Sequence, residues 1–179
     1  MVQIETVLEE APKPEIRVLE TQGNYGKFAV GPLEPGYGIT LGNPMRRVLL
    51  TSIPGTAVTW VKIEGILHEF STIAHMKEDV AEFLVSVKAI RLKSLVERPG
   101  KLRLEIAREG AVTAGDISVP SDFEIVNPEL HLATMESSEG QLSVEFNIEQ
   151  GQGYVPASNA NGLPIGVLPL DATFGPVRR

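Results

Sequence analysis

Several stretches of the chain alternate between apolar and polar residues with a period of two. Leu142, Val144, Phe146 and Ile148 alternate with Ser143, Glu145, Asn147 and Glu149, and Leu102, Leu104 and Ile106 alternate with Arg103 and Glu105. Thr59, Val61 and Ile63 alternate with Trp60, Lys62 and Glu64. Successive side chains of a strand point to opposite faces, so each run predicts a strand with one buried and one wet face. Within Glu15 to Val30, two shorter strand-like runs flank Thr21-Gln22-Gly23-Asn24, which predicts a hairpin.

Two segments carry a helical period instead. One follows Gly42-Asn43-Pro44: Asn43 can cap the first amides, Pro44 suits the first helical position, and Pro54-Gly55 ends the pattern. On that helix Met45, Val48, Leu49 and Ile53 form one apolar stripe, while Arg47 and Leu50 fall off it. The other runs from about Lys77 to about Lys88. Val80, Phe83, Leu84 and Val87 make its buried face, Asp79, Glu82 and Ser86 lie opposite, and Glu78 and Asp79 fall in the first turn with Lys88 in the last, as the helix dipole favours. Many strands with two short helices, without a βαβ rhythm, predict an α+β fold. Gln150 to Pro169 is rich in Gly, Pro, Asn and Ser and reads as the longest loop.

Composition narrows the function. The 179 residues are enough for one domain or two small interleaved ones, with 42% hydrophobic and 22% charged residues. The acidic, proline-bearing start, Met1 to Glu15, lacks the basic and apolar regions of a secretory signal and reads as a flexible tail. No apolar run is long enough to span a bilayer. Cysteine is absent, which excludes disulfides and thiolate metal sites and is compatible with a cytoplasmic location. A net charge of -7 suits free nucleic acid poorly, because phosphate binding needs clustered Lys and Arg.

The candidate chemistry is thin. Gly36-Tyr37-Gly38-Ile39-Thr40-Leu41-Gly42-Asn43 lacks the Gly-Lys-Ser/Thr ending of a phosphate loop, and its glycines read as allowing a tight approach into the helix. His68, His75 and His131 supply no convergent third or fourth metal ligand. No Gly-x-Ser-x-Gly elbow, paired-acid site or Asp-rich magnesium cluster is visible. Neither a catalytic residue nor a cofactor site is expected. An enzyme site in the Gln150 to Pro169 loop and a DNA-binding module are the competing functions, and both lack the residues that they need.

Four blocks resemble one family. They are Leu33 to Gly55, with Leu33-Glu34-Pro35-Gly36-Tyr37-Gly38-Ile39-Thr40-Leu41-Gly42-Asn43 leading into the Arg46-Arg47 helix; Ile63-Glu64-Gly65-Ile66-Leu67-His68-Glu69-Phe70-Ser71-Thr72 with Lys77-Glu78-Asp79-Val80; Gly153-Tyr154-Val155-Pro156-Ala157; and Pro164 to Arg179. Their order and spacing resemble the amino-terminal assembly domain of the bacterial RNA polymerase alpha subunit. The resemblance covers almost everything after the first fifteen residues. It implies a non-catalytic scaffold in the cytoplasm, a subunit of DNA-directed RNA polymerase. Such a scaffold forms a homodimer and carries the beta and beta-prime subunits.

The same resemblance implies a dimerisation subdomain of helices and antiparallel sheet, interrupted by an inserted, mainly antiparallel β subdomain. Residues 1–54 would open the dimerisation part, 55–176 would be the insert, and 177–179 would begin a return segment that continues beyond this sequence. It also implies roles: Met45, Val48, Leu49 and Ile53 at the dimer interface; Arg47 and Leu50 against beta; Glu82, Lys88 and Leu170 against beta-prime. Direct DNA binding and membrane contact are not expected of this segment. Departures are Pro44-Met45 where Ala-Leu is usual, Ala74-His75 where Pro-Gly is frequent, and Gln150 and Gln152 where basic residues are common.

Overall fold

The computed structural model describes residues 13–157 and 162–178. The tail expected at 1–15 lies almost wholly outside the described residues. The chain divides into two compact units, Met1–Arg46 and Arg47–Arg179.

In the first unit, β1 (Glu15–Gln22) and β2 (Tyr25–Gly31) form the expected antiparallel hairpin. Gly23 takes φ 55 in its turn, a left-handed conformation that glycine adopts without a Cβ penalty. Helix α1 (Tyr37–Thr51) runs across the division between the units. It does not start at Asn43. The starting turn is Glu34 to Tyr37, where Gly36 has φ 89 and the Tyr37 amide donates to the Glu34 carbonyl at 3.1 Å. Pro44 therefore lies inside the helix, where its missing N–H removes one backbone bond but the helix continues. Gly38 and Gly42 are helical residues, and a Cβ on either would meet open space, so they serve no tight approach.

The second unit holds the core. Its main sheet is built on β3 (Pro54–Ile63), paired along its length with the eleven-residue β9 (Leu142–Gln152). Beyond β9 lies β5 (Gly100–Ile106). On the opposite edge, β3 pairs with β11 (Val167–Pro169) and touches β4 (Leu92–Ser94), which pairs with β7 (Phe123–Ile125). All these pairings are antiparallel. A smaller sheet joins β6 (Gly110–Thr113) to β8 (His131–Met135), and a third joins β10 (Tyr154–Val155) to β12 (Ala172–Thr173). Two helices with mainly antiparallel sheet make the fold α+β.

The alternation expected for β5 and β9 holds: Leu102, Leu104, Ile106, Leu142, Val144, Phe146 and Ile148 are all buried. In β3 the phase breaks. Val58 pairs with Ile148 and Trp60 with Asn147, which leaves Thr59 as an extra, bulged residue. Thr59 is thus not part of the inner row with Val61 and Ile63. Its hydroxyl accepts a bond from Asn147 Nδ2 at 3.0 Å, and its carbonyl accepts the Leu170 amide at 2.8 Å. The side-chain bond serves Asn147, the one buried polar residue among those described.

Helix α2 (Val80–Lys88) lays its expected face, Val80, Phe83, Leu84 and Val87, into the core. It starts later than the sequence suggests, because Asp79 is the N-cap and accepts the Glu82 amide at 2.7 Å. Glu78 therefore lies outside the helix. It accepts the Thr134 amide at 2.7 Å and the Thr134 hydroxyl at 3.0 Å, and lies 3.1 Å from His131 Nε2. These bonds tie the entry of α2 to β8. Burial pushes the Glu78 carboxyl up, but its bonds with the Thr134 amide and His131 outweigh this and hold it below the ordinary value.

The region read as a long loop contains β10, β11 and the end of β9. Gly153, at φ 65, turns β9 into β10. Close by, Gly55 and Gly151 face each other across β3 and β9, and both lie against Phe174. Phe174 is buried with Ala57 and Ala172 in a small second cluster.

Candidate functional site

Helix α1 buries none of its side chains. An amphipathic helix forms in water mainly because its apolar face is covered, so an uncovered one is a candidate contact surface. Met45, Val48 and Leu49 are 43%, 54% and 41% exposed, and Tyr37 and Ile39 on the same helix are also exposed. Ile53 does not continue that helical stripe. The helix ends at Thr51, and Ile53 is half-buried in the turn before β3. Arg47 is exposed and Leu50 half-buried. The Arg47 carbonyl accepts the Thr51 hydroxyl at 2.7 Å, which leaves the guanidinium itself unengaged by that contact.

A second candidate surface lies on α2 and the chain end. Glu82 and Lys88 are both exposed on this helix. Lys88 Nζ donates to Asp171 Oδ1 at 2.6 Å, joining the last turn of α2 to the segment after β11. That bond is the main reason the Asp171 carboxyl is held below the ordinary carboxylate range, with Tyr154 as a further donor. Leu170 lies apart from these exposed residues. It is 6% exposed and packs in the main core. Alternation is the reason: its amide is drawn to the Thr59 carbonyl, which turns the side chain inward and Asp171 outward.

Asp171 was not singled out by the sequence, and neither were Arg91 and Arg178, which line the same depression as Lys88. The available signal was the Lys88–Asp171 spacing of opposite charges, which means nothing until the chain end returns to α2.

The histidines are accounted for individually. His68 Nδ1 lies 3.0 Å from the Ser71 hydroxyl, and His131 is engaged with Glu78. His75 stands at φ 60, the only non-glycine with positive φ among the described residues, at the position where glycine is frequent in the resembling family. Among the described residues no group of three His, Asp or Glu side chains is placed to hold a metal ion. No helix of the described residues is long and apolar enough to cross a membrane.

Comparison with known proteins gives a consistent result. Residues 61–175 match the RNA polymerase Rpb3/RpoA insert domain. The chain is 51% identical over 164 residues to the DNA-directed RNA polymerase subunit alpha of Roseiflexus sp. (strain RS-1), covering 92% of this chain and 51% of that protein. It is 48% identical over 181 residues to that of Alkaliphilus oremlandii (strain OhILAs), covering 100% of this chain and 56% of that protein. The protein of Symbiobacterium thermophilum is 51% identical over 172 residues, covering 95% of this chain and 54% of that protein. The chain spans about half the length of the curated relatives it matches. With the insert domain matched from near the end of β3 to the residue after Phe174, and with relatives near half-identical across almost the whole chain, this protein belongs to the bacterial RNA polymerase alpha-subunit family.

Proposed function

We propose that this chain is the amino-terminal assembly part of a cytoplasmic RNA polymerase alpha subunit, a non-catalytic scaffold that pairs with a second alpha subunit and brings beta and beta-prime together for transcription. The observation that carries this reading is α1, a fifteen-residue helix without a buried side chain that displays Met45, Val48 and Leu49. In this reading residues 1–54 contribute the first part of the dimerisation subdomain, 55–176 are the insert, and 177–179 open the return to the dimerisation part. Met45, Val48 and Leu49, with Ile53 at the edge, face the second alpha subunit; Arg47 and Leu50 face beta; Glu82 and Lys88 face beta-prime. The scaffold needs no cofactor in this chain.

Reconstitution of the full-length subunit with purified beta and beta-prime tests it. Arg47→Ala is expected to weaken recovery of beta by about 2 kcal/mol, the scale of an interface arginine, with the melting curve unchanged. Leu49→Asp is expected to convert the dimer to monomer in sedimentation. Unchanged beta recovery with Arg47→Ala removes that contact, and a dimer that survives Leu49→Asp removes the assigned interface.

A further inference from the structure

The last turn of α2 and the segment from Asp171 to Arg178 border a shallow depression of ≈ 390 Å³ that includes Val85, Lys88, Arg91, Asp171 and Arg178. It concentrates three cations around one carboxylate in a chain whose net charge is -7. Only Lys88 is neutralised locally, by Asp171. Among the described residues, neither Arg91 nor Arg178 has a carboxylate within ion-pair distance.

Arg91 is not needed to cap the helix. The Ala89 carbonyl is already taken by Asn127 Nδ2 at 3.1 Å, and Asn127 Oδ1 accepts the Arg91 amide at 2.8 Å. The Arg91 carbonyl accepts the Val126 amide at 2.9 Å. The backbone that carries this guanidinium is thus fixed on both sides, while the side chain projects from an exposed residue. A charge on a fixed base loses less freedom on binding than one on a mobile loop. Beside the cations, Val85 is 67% exposed, one turn before Lys88 on the same helix.

We infer that this depression is a docking notch for an acidic protein segment, in which carboxylates engage Arg91 and Arg178 and an adjoining apolar side chain covers Val85. The inference rests on the reading that the Lys88 face meets a large polymerase subunit, and it states the chemistry of the segment that binds there. Charge complementarity favours a peptide over nucleic acid. A phosphate backbone is bound through many Lys and Arg contacts, whereas the notch holds three cations beside the Asp171 carboxylate in a chain of net charge -7. An exposed valine has no partner on a phosphate backbone. In a protein interface, paired charges around an apolar contact set register and encounter rate.

Joining of purified beta-prime to the complex of full-length alpha with beta, measured as a salt titration, tests the inference. The double variant Arg91→Glu/Arg178→Glu is expected to weaken joining roughly tenfold or more and to flatten its salt dependence. Asp171→Asn is expected to strengthen joining, because it releases Lys88. Melting curves confirm that each variant is folded. If Lys88→Glu impairs joining and the double variant does not, the face stands and the notch is overturned. If none of these charge reversals has an effect, the assignment of the face itself fails. If the double variant spares joining but lowers retention of a duplex DNA on filters, the notch serves a polyanion and the acidic-segment inference is wrong.

Discussion

Replacing Gly55 by alanine adds one methyl group where, among the described glycines, a side chain has least room. A Cβ on Gly55 would stand 1.8 Å from the Phe174 carbonyl oxygen and 2.9 Å from its carbon. Both are backbone atoms, so no rotamer change relieves the overlap. The segment that carries Phe174 would have to retreat by more than an ångström. Two losses bound the effect. Phe174, 6% exposed, would surrender part of a burial that contributes about 1.5–3 kcal/mol. The bond from the Phe174 amide to the Gly153 carbonyl, 2.9 Å long, would stretch, at about 1 kcal/mol. The expected destabilisation is therefore about 2–4 kcal/mol, the upper part of the range for overpacking. At about 2–4 °C per kcal/mol for a unit of this size, the melting temperature should fall by roughly 4–16 °C. Gly151→Ala provides a contrast, because its Cβ would meet the Phe174 ring at 2.7 Å rather than the backbone. In a Phe174→Ala background Gly151→Ala should lose most of its penalty, and Gly55→Ala should keep its own. A Gly55→Ala protein that melts with the parent, or one rescued by Phe174→Ala as fully as Gly151→Ala is, would refute the reasoning.

Three further outcomes are expected. His75→Gly should stabilise by about 0.5–1 kcal/mol in chemical denaturation, because φ 60 strains a residue with a Cβ and glycine's greater unfolded freedom returns part of the gain. Phe83→Ala, which empties a fully buried position on α2, should cost about 3–5 kcal/mol by the same measurement. Glu78 has a folded pKa below its ordinary 4.5, so its contribution is fully present above that pH and is lost as the pH falls through the folded value. Glu78→Gln should therefore lower stability at neutral pH and remove part of the acid-side decline between pH 4.5 and the folded value, which melting curves across acid pH will show.

Elements whose burial follows one period were legible in the sequence. The β5 and β9 rows and the α2 face needed only local alternation and a local stripe. The elements that escaped depend on contacts remote in sequence. Asn43-Pro44 carries the composition of a helix start, yet the turn at Glu34 to Tyr37 had already begun the helix. Gly38 and Gly42 lower helix propensity and hid its first turns. Beyond the end of β9, the described part of Gln150 to Pro169 looked structureless because β10 and β11 are two and three residues long, and their partners lie in β12 and β3. For the candidate surfaces, the α1 stripe was legible but its exposure was not, since the same period marks the buried face of α2, and the burial of Leu170 was not legible either. Its side chain faces inward where the returning segment pairs with β3 and its amide donates to Thr59, more than a hundred residues earlier.

The bulge at Thr59 also determines where β3 can tolerate a change in length. Anywhere else in a two-faced strand, losing one residue reverses every side chain beyond it and drives Lys62 or Trp60 toward the interior. At Thr59 the paired residues on either side, Val58 with Ile148 and Trp60 with Asn147, are already consecutive on β9. Removing Thr59 would close the ladder into regular register with Val58, Val61 and Ile63 still facing the core. What would disappear is the carbonyl that receives the Leu170 amide and one of the two acceptors of Asn147 Nδ2, the other being Glu149. A one-residue deletion here would thus leave the sheet paired, with β11 still on Trp60 to Lys62, and remove only the bond that fixes Leu170, separating two properties that elsewhere in the strand cannot be changed independently.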